Sequence, residues 1–293
     1  MLLQSQADSL QYRFAYEIRA MADVPWDFPF PLPIDECCSI IFMPGDTQEA
    51  GQKSYYPPRI YLLTRDTFAV YPHPSADEPP FLISLEDLIE VSSERALLYG
   101  ALQLHSSTTS KNFQYNAAHH KYVASLLRKV RLIWLPPCRM RVPTVALPGR
   151  DRPVDFRCQC AAEAELDIGE QVHKYCLQPQ REKNIEGWIF RRTQVLPAIF
   201  LILTNRRIMA ISTSKGTTED QYGIALRYTA VGNLSGASIE QAPDGFEFNL
   251  EIKHSRTWRL FFGNEQISSV TAILSLLNES LPVFHESPRL SPT

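Results

Sequence analysis

The chain has 293 residues, enough for two domains that each bury a core of their own. Its 29 Lys and Arg against 32 Asp and Glu leave a formal net charge of −3, which excludes a chain-wide basic field for nucleic acid or an anionic membrane. The longest apolar stretch, VLPAIFLIL, is far too short to span a bilayer, and six irregularly spaced cysteines read as reduced thiols. A cytoplasmic protein is expected, with membrane association at most peripheral.

Residues 1–33 form an extended segment. In VPWDFPFPLP the prolines forbid helix, and Trp26, Phe28 and Phe30 are expected to be buried against the chain's own β modules, because their apolar area is large. Residues 34–134 form the first module. It opens with IDECCSIIFMP. Tyr61–Leu63 and Phe68–Tyr71 then flank the polar corner TRDT, which reads as a β-hairpin. FLISL, DLIEVSSE, GALQLHSS and NFQYN continue the strands. Tyr122, Val123, Leu126, Leu127 and Val130 then fall at steps of three and four, predicting an amphipathic closing helix. His119 and His120 lie at its start, where a solvated helix face is expected.

Residues 135–163, rich in Pro and Arg, read as a linker, and 282–293 as a frayed tail. Between them, residues 164–281 repeat the first module. FLILTNRRIMAI restates YLLTRDTFAVY, with Thr204 on Thr64 at an offset of about 140 residues. Upstream, Ile168 and Glu170 match Ile34 and Glu36, and Cys176 falls on Phe42. Downstream, Leu226 falls on Leu85, NLSGASIE on DLIEVSSE, and Val270, Leu274 and Leu277 on Val123, Leu127 and Val130. In GFEFNLEIKH, Phe246, Phe248, Leu250 and Ile252 alternate with polar residues, the period of a strand with one wet face.

These phrases together resemble the bacterial pleckstrin-homology-like (PH/GRAM-like) domains. The phrases are LLTRDTFAV, ISLEDLIEVSSERALLYGALQLHS and the 117–134 helix in one half, and LILTNRRIMAI, FEFNLEIKHSRTWRLFF and the 264–278 helix in the other. The resemblance implies a mainly β chain of two such domains in tandem, each a bent sandwich or partly open barrel ended by a C-terminal helix. It carries no shared catalytic residues.

Catalytic signatures are absent from the sequence: no G-x-S-x-G, no G-x-x-x-x-G-K-[ST], no H-E-x-x-H. Cys158, Cys160, His173 and Cys176 have zinc-ligand chemistry, but C-x-C is not the usual spacing, and neither metal nor cofactor is expected. A non-catalytic scaffold that recognises a protein or peptide is therefore the leading expectation, through sheet edges or the groove between strand and helix. The alternative is an anionic lipid surface bound by the second module. PH-like domains that bind phosphoinositides use basic residues around the first loop, and here that loop carries Arg181, Lys183, Arg191 and Arg192 with Trp188 among them. In the first module the same loop offers Lys53 and Arg59 against Asp46 and Glu49, with no net attraction. A competing reading makes Trp188, Ile189 and Phe190 a buried strand with the two arginines solvated at its end.

Overall fold

The computed structural model describes residues 14–28, 33–45, 56–96, 99–135, 143–148, 156–186, 191–215, 222–254 and 256–286. The architecture is mainly β, and the chain divides into two compact units. Unit 1 comprises Met1–Leu88 and Arg95–Trp134; unit 2 comprises Ile89–Glu94 and Leu135–Thr293. A short segment from within the first half thus counts with the second.

In unit 1, β1 (Tyr16–Glu17), β2 (Ser39–Met43), β3 (Arg59–Leu63), β4 (Thr67–Pro72) and β5 (Phe81–Ser84) form an antiparallel sheet in that order. β6 (Leu88–Arg95) follows, its residues 89–94 belonging to unit 2, and β7 (Tyr99–Ser106) and β8 (Ser110–Asn116) make a hairpin. On the inner face of the sheet Tyr61, Phe68, Val70 and Ile83 are buried, with Phe113 set edge-on 5.8 Å from Tyr61. The Oδ1 of Asn116 accepts the Ala118 N–H at 2.9 Å, capping the 3-10 turn that leads into α1 (His120–Trp134). Val123, Leu126, Leu127 and Val130 of α1 are all buried, as their spacing demands. The histidine pair departs from expectation: His120 stacks on Tyr115, accepts or donates a 2.9 Å bond to its hydroxyl, and is pushed down to a pKa of about 4 by burial and by Arg95.

The outer face of that sheet is braced by the N-terminal segment. Ile18 and Phe28 join Ile40, Phe42 and Ile60 in one buried cluster, with Phe28 edge-on to Phe42 at 5.9 Å. Trp26 corrects the expectation, standing 78% exposed. The cause is a turn: Phe28 N–H bonds to Pro25 O at 3.0 Å, which places Trp26 at the corner and Phe28 at the exit. Phe30 lies outside the described residues.

In unit 2 a helix α2 (Phe156–Glu165) precedes β9 (Val172–Gln178), so the segment read as a linker holds regular structure near its end. β10 (Arg181–Glu186) and β11 (Arg191–Leu196) form a separate antiparallel hairpin. β12 (Ile199–Thr204), β13 (Arg207–Lys215) and β14 (Tyr222–Ala230) continue the sheet from β9 in the order β9-β12-β13-β14. Residues 89–94 lie beside β14, where Ile89 O accepts the Thr229 hydroxyl at 2.6 Å and Asn233 Nδ2 at 3.2 Å. β15 (Leu234–Ala242), β16 (Gly245–Ile252) and β17 (Arg256–Phe262) make a second sheet, and α3 (Ile267–Glu286) closes the unit, running into the segment read as a tail. Phe246, Phe248, Leu250 and Ile252 are buried on one face of β16 with Trp258, Val270, Ile273 and Leu277.

Element order repeats between the halves. β2, β3, β4, β5, β6, β7, β8 and α1 correspond in sequence to β9, β12, β13, β14, β15, β16, β17 and α3, with β10–β11 an insertion in the second. The two threonine corners are built alike. Thr64 Oγ1 accepts the Thr67 N–H at 3.0 Å, and Thr204 Oγ1 accepts the Arg206 and Arg207 N–H groups at 3.1 Å each. One glycine in unit 2 is required by close approach: a methyl at Gly245 would lie 2.1 Å from the Phe262 carbonyl oxygen. Gly245→Ala should lower unfolding free energy by about 1–3 kcal/mol, read as an earlier urea midpoint, because the β16–β17 backbone must part to admit the carbon.

Candidate binding sites

The basic loop of the sequence is largely a hairpin. β10 and β11 pair Arg181 with Leu196, Lys183 with Gln194, Ile185 with Arg192 and Glu186 with Arg191. Strand alternation therefore places positions 181, 183 and 192 on one face and 191 on the other, across from position 186. Positions 191 and 192 thus lie on opposite faces of the hairpin. Trp188 lies outside the described residues.

A groove of about 270 Å³ sits where this hairpin leaves and rejoins the unit, lined by Gln178, Pro197, Ala210, Arg227, Arg259 and Leu260 among others. Gln178 holds the end of β9 to β17, donating Nε2 to Phe261 O at 3.0 Å and accepting Gly263 N–H at 2.8 Å. Arg227 and Arg259 are exposed; the Arg227 guanidinium lies 5.8 Å over the Trp258 ring, and Arg259 forms no ion pair among the described residues. Sequence reasoning missed both arginines. Alternation in ALRYT and TWRLF marks them as outward-facing, but nothing local says that β14 and β17 converge at the hairpin root.

Arg59, taken with Lys53 as part of an acid-balanced loop in the first half, is instead a buried residue of β3. Its Nη2 meets Glu78 Oε2 at 3.2 Å and its guanidinium lies 5.7 Å from the Phe113 ring. Partial burial pushes the Glu78 carboxyl up, yet bonds from Lys111 and Arg59 hold it below its ordinary value. Arg59 is thus committed to the fold; Asp46, Glu49 and Lys53 lie outside the described residues.

A depression in unit 1, about 730 Å³, lies on the outer face of the sheet. Tyr71 and the 57% exposed Leu82 form its wall and Asp35, Glu36, Arg65 and Asp66 its rim, over Leu62 and Ala69, which are each only 1% exposed. The zinc-like set does not converge. Cys176 is buried in the core of unit 2, Cys158 is buried on α2, and His173 Nδ1 reaches Pro143 O at 3.3 Å. Among the described residues no three His, Cys, Asp or Glu side chains are placed to hold a metal, and no helix is long and apolar enough to cross a membrane. No family model and no curated protein matches the chain.

Proposed function

We propose that the chain is a non-catalytic scaffold of two tandem PH-like modules, working in the cytoplasm, that recognises a protein or peptide partner. The repeated order of seven strands and a closing helix supports the module assignment. The observation that carries partner recognition is the depression of unit 1, with exposed Leu82 on its wall beside Tyr71 and a mixed, mainly acidic rim. Such a surface suits polypeptide side chains, where apolar contact supplies affinity and rim charges supply selectivity. Affinity isolation from native extract with the wild-type chain and with Leu82→Asp should give a partner held by the first and lost by the second. Identical retained proteins in the two isolations would sink this reading.

A second reading has its own observation: Arg227 and Arg259 flank a groove at the root of a hairpin that places positions 181, 183 and 192 on one face. Such a cluster would draw unit 2 to an anionic membrane, each basic residue near the surface contributing about 1 kcal/mol. Arg227→Gln with Arg259→Gln should then weaken co-sedimentation with phosphatidylserine- or phosphoinositide-containing vesicles by roughly thirtyfold. Wild-type binding should fall steeply with salt, since exposed charges are screened within about 10 Å at 0.1 M. Wild-type protein that ignores such vesicles at low salt removes the reading.

A further inference from the structure

The groove at the root of the β10–β11 hairpin lies between the two sheets of unit 2. Ile199, Ala210 and Ala225 line it from β12, β13 and β14, and Leu260 lines it from β17. Ser212 pairs with Ala225 and Ala210 with Arg227, so three small side chains in two neighbouring rows of one sheet face leave the space. Ile199, Ala210 and Leu260 belong to the core of the unit, whereas Ser212, Ala225 and Phe261 are half-buried and Arg227 and Arg259 are exposed. The groove therefore descends from open solvent to apolar core.

Its walls are fixed by bonds that need no occupant. Gln178 joins the end of β9 to β17 at Phe261 and Gly263. Ala198, at the start of β12, donates its N–H to Thr213 Oγ1 at 3.1 Å and accepts the Thr213 N–H at 3.1 Å. A groove held in shape beforehand loses little freedom when it is filled. At its mouth two cations meet no anion: none of the described lining residues is acidic, and neither Arg227 nor Arg259 forms an ion pair among the described residues. The Arg227 guanidinium is steadied 5.8 Å over the Trp258 ring. Like charges at one mouth repel, and a carboxylate lodged there relieves the repulsion while accepting parallel N–H bonds from the guanidinium fork.

We propose that this groove binds a single-chain anionic amphiphile, an unbranched aliphatic carboxylate. Its chain lies on Ile199, Ala210, Ala225 and Leu260, and Arg227 and Arg259 hold its head. The groove, about 270 Å³, falls at the small end of the range for ligand pockets, roughly 300–1,000 Å³. That size suits one chain of medium length and is too small for the paired chains of a phospholipid. The membrane reading uses the same two arginines as exposed charge and gives the apolar walls no role; here the walls supply affinity and the arginines select the head.

The test is calorimetric titration of the full chain with hexanoate, octanoate and decanoate below their micellar concentrations. Affinity should rise about fourfold for each added methylene until the groove is full, then level off. Octan-1-ol, which has the chain without the charge, should bind at least about tenfold more weakly than octanoate. Arg259→Gln should weaken octanoate by roughly tenfold and leave octanol unchanged, because only the charged head meets it. Ala225→Leu, which fills the groove, should abolish binding of both. Arg259 is exposed, so the glutamine variant should melt like the wild type and read the head alone. No saturable binding of any carboxylate, affinity independent of chain length, or binding indifferent to both substitutions overturns the proposal. A peptide with a C-terminal leucine carboxylate that binds more tightly than decanoate overturns it too, by making the occupant a chain terminus. Vesicle association without carboxylate binding would sink the amphiphile and leave the membrane reading standing. Saturable, chain-length-dependent carboxylate binding without vesicle association would support the proposal and remove that reading.

Discussion

Arg207→Ala should lower the unfolding free energy by about 3–5 kcal/mol, the range for breaking a buried ion pair by deleting one member. The Arg207 and Glu170 side chains are both fully buried, and Asp167 Oδ2 lies 3.9 Å from the same guanidinium. The Arg207 guanidinium also lies 4.9 Å from the Tyr228 ring and is bonded to the last turn of α2, so its loss loosens a helix as well as a charge. The pH dependence is a sharper readout. Burial alone would raise the Glu170 pKa, but Arg207, the Asp167 N–H and the Thr204 hydroxyl together hold it below 4.5. A lowered folded pKa contributes stability that is present above 4.5 and fades as pH falls through the folded value. Without Arg207 burial dominates, the folded pKa rises above the unfolded one, and stability should instead be lost as pH rises. Urea titrations of Arg207→Ala between about pH 4 and pH 7 should therefore slope opposite to wild type. An unchanged slope would show that the carboxylate does not depend on this partner. Replacing the pair together, Arg207→Met with Glu170→Leu, should recover most of the loss, because no unpaired charge remains.

Residues 135–293 expressed without the first half should fail to melt as a cooperative unit. That fragment lacks Ile89–Glu94, which belong to unit 2. Ile89 is buried in the main core of the unit, and burying such a side chain contributes about 1.5–3 kcal/mol. Its carbonyl serves the Thr229 hydroxyl and Asn233, and Glu90, also buried, forms an ion pair with Arg256 at 3.0 Å. Each buried polar group left without its partner costs about 1–3 kcal/mol, and β14 becomes an open edge able to recruit other strands. Tethering residues 88–95 to the fragment through a flexible linker should restore solubility and a single transition. A fragment that melts like the full chain without them would show that the segment is dispensable.

The local grammar of the chain was legible. Alternation in GFEFNLEI marked the buried face of β16, three-and-four spacing marked α1 and α3, and the matched TRDT and TNRR corners marked two equivalent hairpins. Alignment between those anchors drifted. Phe68 lies opposite Ile83 and Ile208 opposite Thr229, so Leu85 corresponds to Val231 and not to Leu226. Cys176 lies opposite Leu201 as Ile41 lies opposite Tyr61, one residue from the expected match with Phe42, because the ladder shifts at Leu203 and Thr204. A shift of one residue exchanges the faces of a strand.

α2 escaped detection because FRCQCAAEAE lacks an apolar stripe, its buried positions including Cys158, Gln159 and Ala162. Its trace was in its partner: IFLILT is apolar at nearly every position, and every residue of β12 is buried, the mark of a strand covered on both faces. Period and corner chemistry were determined by the sequence alone, because they depend on backbone geometry within a few residues. Only the tertiary structure decided that residues 89–94 complete unit 2, that Arg59 is buried, that Arg227 and Arg259 meet at the hairpin root, and that α2 packs on the sheet of unit 2. These features depend on groups far apart in the chain that meet once the sheets have formed, and no local pattern records which face a distant segment will cover.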